Sequence, residues 1–257
     1  MTRKFLGTAK GPLVIGHRGA SGHAPENTMA SFEKALAMRA DAIELDIHPT
    51  RDGQLVVLHD LGLERTTSGR GRVCDHTLAE IRALDAGSWF HPSFAGQRVP
   101  TLGEVLAWAR GRIKVVIEIK QGPVLHPEVP PLLVAALDRA AMRSEVLVIS
   151  FDHFSVREVQ ALAPGIATGV LYAARPIDAV AMARAAGALA LMPHWAMVQR
   201  GDVERAHEAD LLVAPWGGPE QDYAWLFGLG VDAVGADFPD RPRLLLDQAP
   251  PSITASS

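Results

Sequence analysis

The sequence predicts an α/β fold of the TIM type, a (β/α)8 barrel with a small insertion after its second strand. Its 257 residues suit one such barrel, whose usual size is about 250 residues. Apolar strand-like runs alternate with helical runs to give about eight βα units, the number that closes a parallel barrel. Charged and histidine side chains collect at the ends of the first three strands, and a barrel of this kind carries its chemistry at the C-terminal strand ends.

The elements follow in order. Residues 13–16, Leu-Val-Ile-Gly, form a short apolar run that suits a buried strand and delivers His17, Arg18 and Gly19 to its end. Asn27 or Thr28 can cap a helix on which Phe32 and Leu36 fall at helical spacing. Residues 42–48 are the second strand, followed by a hairpin. Residues 61–100 read differently, with a loop at 66–71 and only a short helix near 78–83, and are expected to cover the barrel mouth as an insertion. Trp89, Phe90 and Phe94 within it are expected to pack rather than touch substrate. From Thr101, a helix cap, the alternation is regular: helices at 102–110, 130–142, 155–162, 177–186, 198–209, 219–229 and 241–246, and strands at 113–120, 146–150, 167–171, 188–192, 211–215 and 231–235. One domain, 1–257, is expected, with a frayed tail from residue 248.

The bulk properties exclude several classes. Twenty-five basic against 29 acidic residues do not make a polyanion-coating surface, so no nucleic acid is expected. Cys74 is the single cysteine, which rules out an internal disulfide framework or a thiolate cluster and is compatible with a reducing compartment. Residues 1–10 have no apolar run of secretory type, and no stretch approaches the roughly 20 apolar residues of a membrane span. A cytoplasmic protein without stable membrane association is expected.

The densest chemistry lies between residues 42 and 60. Side chains alternate along a strand, so Glu44 and Asp46 share a face, roughly 7 Å apart, while Ile43, Leu45 and Ile47 share the other. Asp52-Gly53 is a strong signal for a two-residue turn. A turn centred there puts residue 46 opposite residue 59, so His59 is expected across from Asp46 with Cβ atoms about 5 Å apart. Glu118 and Lys120, two apart on the third strand, also share a face. Three carboxylates without a thiolate or a His-x-x-x-His favour one hard divalent cation, Mg²⁺ or Ca²⁺; a salt-bridge network with Arg18 and Lys120 is the plainer alternative. His17 and His59 approach from separate segments and suit general acid and base work on a phosphate ester. Arg18 and Lys120 would neutralise its oxygens. Trp216, at a strand end, can stack on the substrate. His23 and His48 are weaker candidates, His153, His194 and Trp195 are expected to line the pocket, and His76, His91, His126 and His207 are expected at the surface.

His17-Arg18-Gly19, Pro25-Glu26-Asn27-Thr28, Glu44-Leu45-Asp46, His59-Asp60, Arg65-Thr66-Thr67, Glu118-Ile119-Lys120, Ser150-Phe151 and Asp237-Phe238-Pro239-Asp240 resemble, in order and over nearly the whole chain, the bacterial glycerophosphodiester phosphodiesterases. The resemblance implies a β/α barrel with an insertion after the second strand and hydrolysis of glycerophosphodiesters to glycerol 3-phosphate and an alcohol. It implies His17 and His59 as the acid/base pair, Glu44, Asp46 and Glu118 as ligands of the divalent metal, and Arg18 and Lys120 as phosphate contacts. The chain departs from the family pattern at Gly217-Gly218, after Trp216, and at Ala236, which bears on the alcohol preferred. A related phospholipase attacking intact lipids and a non-catalytic phosphate-binding barrel are the competing readings.

Overall fold

The computed structural model describes residues 11–248; the expectations about the N-terminal ten residues and most of the tail lie outside them. Among the described residues nine strands form one sheet: β1 (Leu13–Gly16), β2 (Ala42–Pro49), β3 (Leu55–Val57), β4 (Lys114–Ile119), β5 (Val146–Ser150), β6 (Ala167–Tyr172), β7 (Ala190–Pro193), β8 (Leu212–Val213) and β9 (Ala233–Ala236). Their order is β8-β7-β6-β5-β4-β2-β1-β9, all parallel, with β3 added antiparallel to β2. The ring is nearly closed: across the gap between β8 and β9, Asp232 N–H donates to Val213 O at 2.8 Å and the Asp232 carboxylate accepts from Val213 N at 2.7 Å. The expected barrel is therefore present.

Helices α1 (Met29–Ala37), α2 (Leu78–Arg82), α3 (Leu102–Ala109), α4 (Val129–Ala140), α5 (His153–Leu162), α6 (Ala179–Ala186), α7 (Arg200–Glu208), α8 (Tyr223–Leu229) and α9 (Asp240–Gln248) follow the strands and the insertion. Their starts are set by caps. Thr28 accepts from Ser31 N, Thr101 and Glu104 form a reciprocal capping box, and Asp152 and Asp178 cap α5 and α6. These acidic caps move α5 two residues earlier and α6 two residues later than hydrophobic spacing predicts, because the first free N–H groups go where an acceptor stands.

Alternation along the strands divides the core. Ile43, Leu45 and Ile47 of β2 and Val115, Ile117 and Ile119 of β4 pack outward against the helices. Leu13, Ile15, Ala42, Val116, Leu147, Ile149, Ala190, Met192, Ala214 and Ala233 fill the barrel interior. Continuing the same parity toward the C-terminal ends brings His17, Glu44, Asp46, Glu118, Lys120, Phe151, His194, Trp216 and Asp237 to the mouth. The inner apolar layers thus form a floor, and the polar set lies on top of it.

The hairpin after β2 differs from the expectation. The β2–β3 register pairs Ile47 with Val57 and His48 with Val56, so residue 46 faces Leu58, whose N–H donates to Asp46 O at 3.0 Å. His59 lies one residue beyond that pair. The cause is the turn: Thr50 N–H bonds Gln54 O at 2.8 Å around a three-residue loop in which only Gly53 (φ +74°) is left-handed. Asp52 keeps negative φ and uses its carboxylate to accept from Thr50 Oγ1 and Leu78 N. Residues 61–100 build a small core of their own on the hairpin, with Leu63, Val73, Ile81, Ala86 and Val99 packed around Val56 and Leu58. Phe90 meets both Trp89 and Phe94 edge-on, each at 5.7 Å.

Candidate active site

The site begins with a left-handed corner after β1. Arg18 has φ +54° and Gly19 φ +83°; a Cβ on Gly19 would fall 2.4 Å from Ser31 Oγ, so only glycine lets the chain turn this close to α1. The corner aims Arg18 N–H at Glu44 Oε2, 2.9 Å away. Asn27, also left-handed (φ +57°), does not cap α1. It donates instead from Nδ2 to Asp46 Oδ2 at 2.8 Å.

Glu44, Asp46 and Glu118 are all buried, and one carboxylate oxygen from each lies within 4.8 Å of the others. Asp46 and Glu118 are register partners on neighbouring strands, which is why they meet. Lys120 Nζ lies 3.0 Å from Asp46 Oδ1 and 2.8 Å from Glu118 Oε1, and Arg18 Nε lies 3.5 Å from Asp46 Oδ2, buried and without a hydrogen bond. Burial, with the charge of Asp46 added, pushes Glu44 up to about 8. Glu118 is pushed up to about 7 by burial, against the pull of Lys120. Asp46 is buried too, yet Lys120 and Arg18 more than offset that and hold it below its ordinary range. Three buried oxygen donors, two of them reluctant to ionise without a further cation, fit a hard divalent ion.

The histidines flank this set. His17 Nδ1 lies 2.6 Å from Asp237 Oδ1, to which Ser21 Oγ also donates. An ionised carboxylate only accepts, so Nδ1 carries the proton. Burial lowers His17, but the Asp237 bond and the Glu44 charge outweigh it and the imidazole ends above its ordinary value. His59 Nδ1 lies 2.7 Å from Asp60 Oδ1. Burial pulls His59 below its ordinary value, with Lys120 assisting and Asp46 opposing. His48, buried, donates from Nε2 to His59 O at 3.1 Å and so holds the backbone of His59.

The structure brings His17, Arg18, Glu44, Asp46, Glu118 and Lys120 to one mouth, with His59 within electrostatic reach of Asp46. Trp216 donates Nε1–H to Met192 O at 3.1 Å and meets Phe151 edge-on at 5.4 Å and His194 at 4.8 Å. With His17, Gly217, Gly218 and Asp237 it lines a cleft of about 250 Å³. A larger cavity, about 740 Å³, lies between α6 and α7 outside the barrel, remote from the carboxylates and histidines, and is not the site. His23 leaves the site to bond Asp240 at 2.9 Å. His126 is buried rather than at the surface, because the Gln121 side chain bonds its backbone at both N–H and C=O. The sequence pattern assigns no site role to Glu26, Asp60, Arg65 or Asp237 and offers Asn27 only as a helix cap; strand parity from Leu13 and Ala233 is the available signal for Asp237.

The chain is similar to several known proteins. The model of the glycerophosphoryl diester phosphodiesterase family matches residues 17–241. A glycerophosphodiester phosphodiesterase of Caldanaerobacter subterraneus subsp. tengcongensis is 40% identical over 89% of this chain and 95% of that protein, and one of Bacillus subtilis is 36% identical over 89% and 84%. Among solved structures, an Oleispira antarctica phosphodiesterase in complex with the product sn-glycerol-3-phosphate superposes with a TM-score of 0.84 at 30% identity, over 92% of this chain and 97% of that one.

Proposed function

The chain belongs to the glycerophosphoryl diester phosphodiesterase family and is a phosphoric diester hydrolase, and we propose that it splits glycerophosphodiesters into glycerol 3-phosphate and an alcohol by metal-dependent general acid and base catalysis. The observation that carries this reading is the buried carboxylate triad, its oxygens within 4.8 Å, set between two imidazoles that each lean on an aspartate.

Glu44, Asp46 and Glu118 would hold one Mg²⁺ or Ca²⁺. When bound, the cation supplies Lewis-acid polarisation of a phosphoryl oxygen. Arg18 and Lys120, on the same rim, carry donors for the remaining phosphate oxygens, and Trp216 offers a flat apolar face beside His17 for the glycerol carbons. Attack on phosphorus removes a proton from the incoming oxygen and adds one to the departing alkoxide, and in an in-line displacement these two oxygens lie on opposite sides of the phosphorus. One imidazole accepts the first proton and the other donates the second. A location in the reducing cytoplasm belongs to the same reading, in keeping with Cys74 as the lone cysteine. Among the described residues no helix is long and apolar enough to cross a membrane.

The test uses His17→Ala and His59→Ala on two diesters. Each should lose about 10²–10⁴-fold on a diester with an alkyl alcohol. The variant lacking the proton donor should recover most of its rate on a p-nitrophenyl diester, whose leaving group needs no proton. Small, equal losses on both diesters would contradict the assignment.

A further inference from the structure

The insertion reaches the site through one side chain. Arg65 Nε lies 2.6 Å from Asp60 Oδ2 and its Nη2 3.0 Å from Asp60 Oδ1. The other edge of the same guanidinium faces Glu26, with Nη1 2.8 Å from Oε2 and Nη2 2.8 Å from Oε1. Behind Asp60 stands His59, 2.7 Å away. Behind Glu26 stands Arg18, whose Nη1 lies 2.8 Å from Oε1. The unbroken series His59–Asp60–Arg65–Glu26–Arg18 therefore joins one candidate acid/base group to one candidate phosphate contact through a residue of the insertion.

We propose that Arg65 is a positioning residue for the hydrolytic reaction: by gripping Asp60 and Glu26 at once, it holds the His59 imidazole in its Nδ1–H form and the Arg18 guanidinium against Asp46. This rests on the hydrolase reading for its purpose, though not for its geometry.

Arginine is required by the shape of the task. Its planar fork presents two edges at a fixed angle, and each edge here meets a carboxylate with paired N–H donors. A lysine ammonium is a point charge that can approach both carboxylates but fix neither plane. Without the guanidinium, Glu26 and Asp60 would be two carboxylates left to share one corner. Glu26 is mostly buried; burial pushes it up, yet Arg65 and Arg18 bring it below its ordinary range. Asp60 is held well below its own by Arg65. His48 fixes the His59 backbone from the barrel side, so Arg65, acting through Asp60, governs what remains free, the plane and tautomer of the ring. The Arg65 side chain is 44% exposed and that of Asp60 31%, so this pair contributes little to stability, and Glu26 keeps its bond from Arg18, so removal of Arg65 should spare the fold.

The experiment compares Arg65→Ala, Arg65→Lys, Asp60→Asn and the Arg65→Ala/Asp60→Asn double variant with wild type. It reads melting temperature, kcat on glycerophosphodiesters with alkyl alcohols, and the ¹³Cδ2 shift of His59 at about pH 8, where an ordinary imidazole is neutral; the signal is assigned by its loss in His59→Gln. Both Arg65 variants should lose about 10–100-fold in kcat with little change in melting temperature. The double variant should lose clearly less than the product of the two single losses, because both changes act on the His59 ring and only the Glu26–Arg18 arm adds to the loss from Asp60→Asn. The ¹³Cδ2 shift should move from that of the Nδ1–H form toward a tautomer mixture. Full kcat in Arg65→Lys, multiplicative losses in the double variant, or an unmoved His59 shift would each overturn the proposal. If Arg65→Ala does not fold, Arg65→Lys carries both readouts. If wild type hydrolyses no glycerophosphodiester, the functional reading fails, while the ¹³C shift still decides whether Arg65 sets the ring.

Discussion

His17 Nδ1 and Asp237 Oδ1 lie 2.6 Å apart although 220 positions separate them in the chain. They meet because β1 and β9 pair in parallel, Gly16 beside Ala236, so the residue after each strand emerges at the same height on the mouth. The contact that orients one histidine is therefore also a stitch between the first and last strands.

That contact has a pH signature. His17 sits above its ordinary value because Asp237 and Glu44 outweigh burial, so its contribution to stability is full below about pH 6.5 and lost as pH rises through the raised value. Asp237 sits below its ordinary value, chiefly through the His17 hydrogen bond, so its contribution is present above about pH 3.9 and lost as pH falls. In EDTA, the melting temperature of wild type should exceed that of Asp237→Asn most between about pH 4 and 6.5, and the gap should narrow toward pH 9. A gap as large at pH 9 as at pH 5 would contradict this.

Metal binding should compete with protons. Glu44 and Glu118 are pushed up to about 8 and about 7 by burial, and a ligand carboxylate must be ionised to bind. Titration calorimetry with Mg²⁺ or Ca²⁺ should show tighter binding at pH 8.5 than at pH 6, with protons released to the buffer at the lower pH. Glu44→Gln and Asp46→Asn should abolish the heat. An affinity independent of pH would mean that the triad is not the binding site.

The insertion should be a cooperative part of the molecule. Ile81 is fully buried among Val56, Leu58, Leu63 and Val73, and replacing a buried Ile by Ala typically costs about 2–5 kcal/mol. Denaturant unfolding of Ile81→Ala should show a loss in that range. A loss below about 1 kcal/mol would mean that the insertion unfolds apart from the hairpin it covers.

The barrel and its charged rim were legible in the sequence because both rest on strand parity. Glu44 and Asp46 share a face whatever surrounds them, and so do Glu118 and Lys120. The same rule extended past each strand end also reaches Phe151, His194, Trp216 and Asp237. The hairpin register was not legible, because Asp52-Gly53 marks a turn without fixing its length, and the Asp52 carboxylate is committed to Thr50 and Leu78. A three-residue loop shifts every opposite pair by one, which is why His59 does not face Asp46. The burial of His126 depends on the Gln121 side chain, and the Arg65 contacts depend on a loop crossing back over α1's entry, 39 residues from Glu26. Neither leaves a trace in local pattern.

We propose metal-dependent hydrolysis of glycerophosphodiesters at the triad. It is tested most directly by incubating EDTA-treated protein with a panel of glycerophosphodiesters, adding back Mg²⁺ or Ca²⁺ separately, and measuring glycerol 3-phosphate. The account predicts no product in EDTA, product on adding back at least one of the two ions, and none from Asp46→Asn under the same conditions. Equal product in EDTA, or full activity of Asp46→Asn, would contradict it.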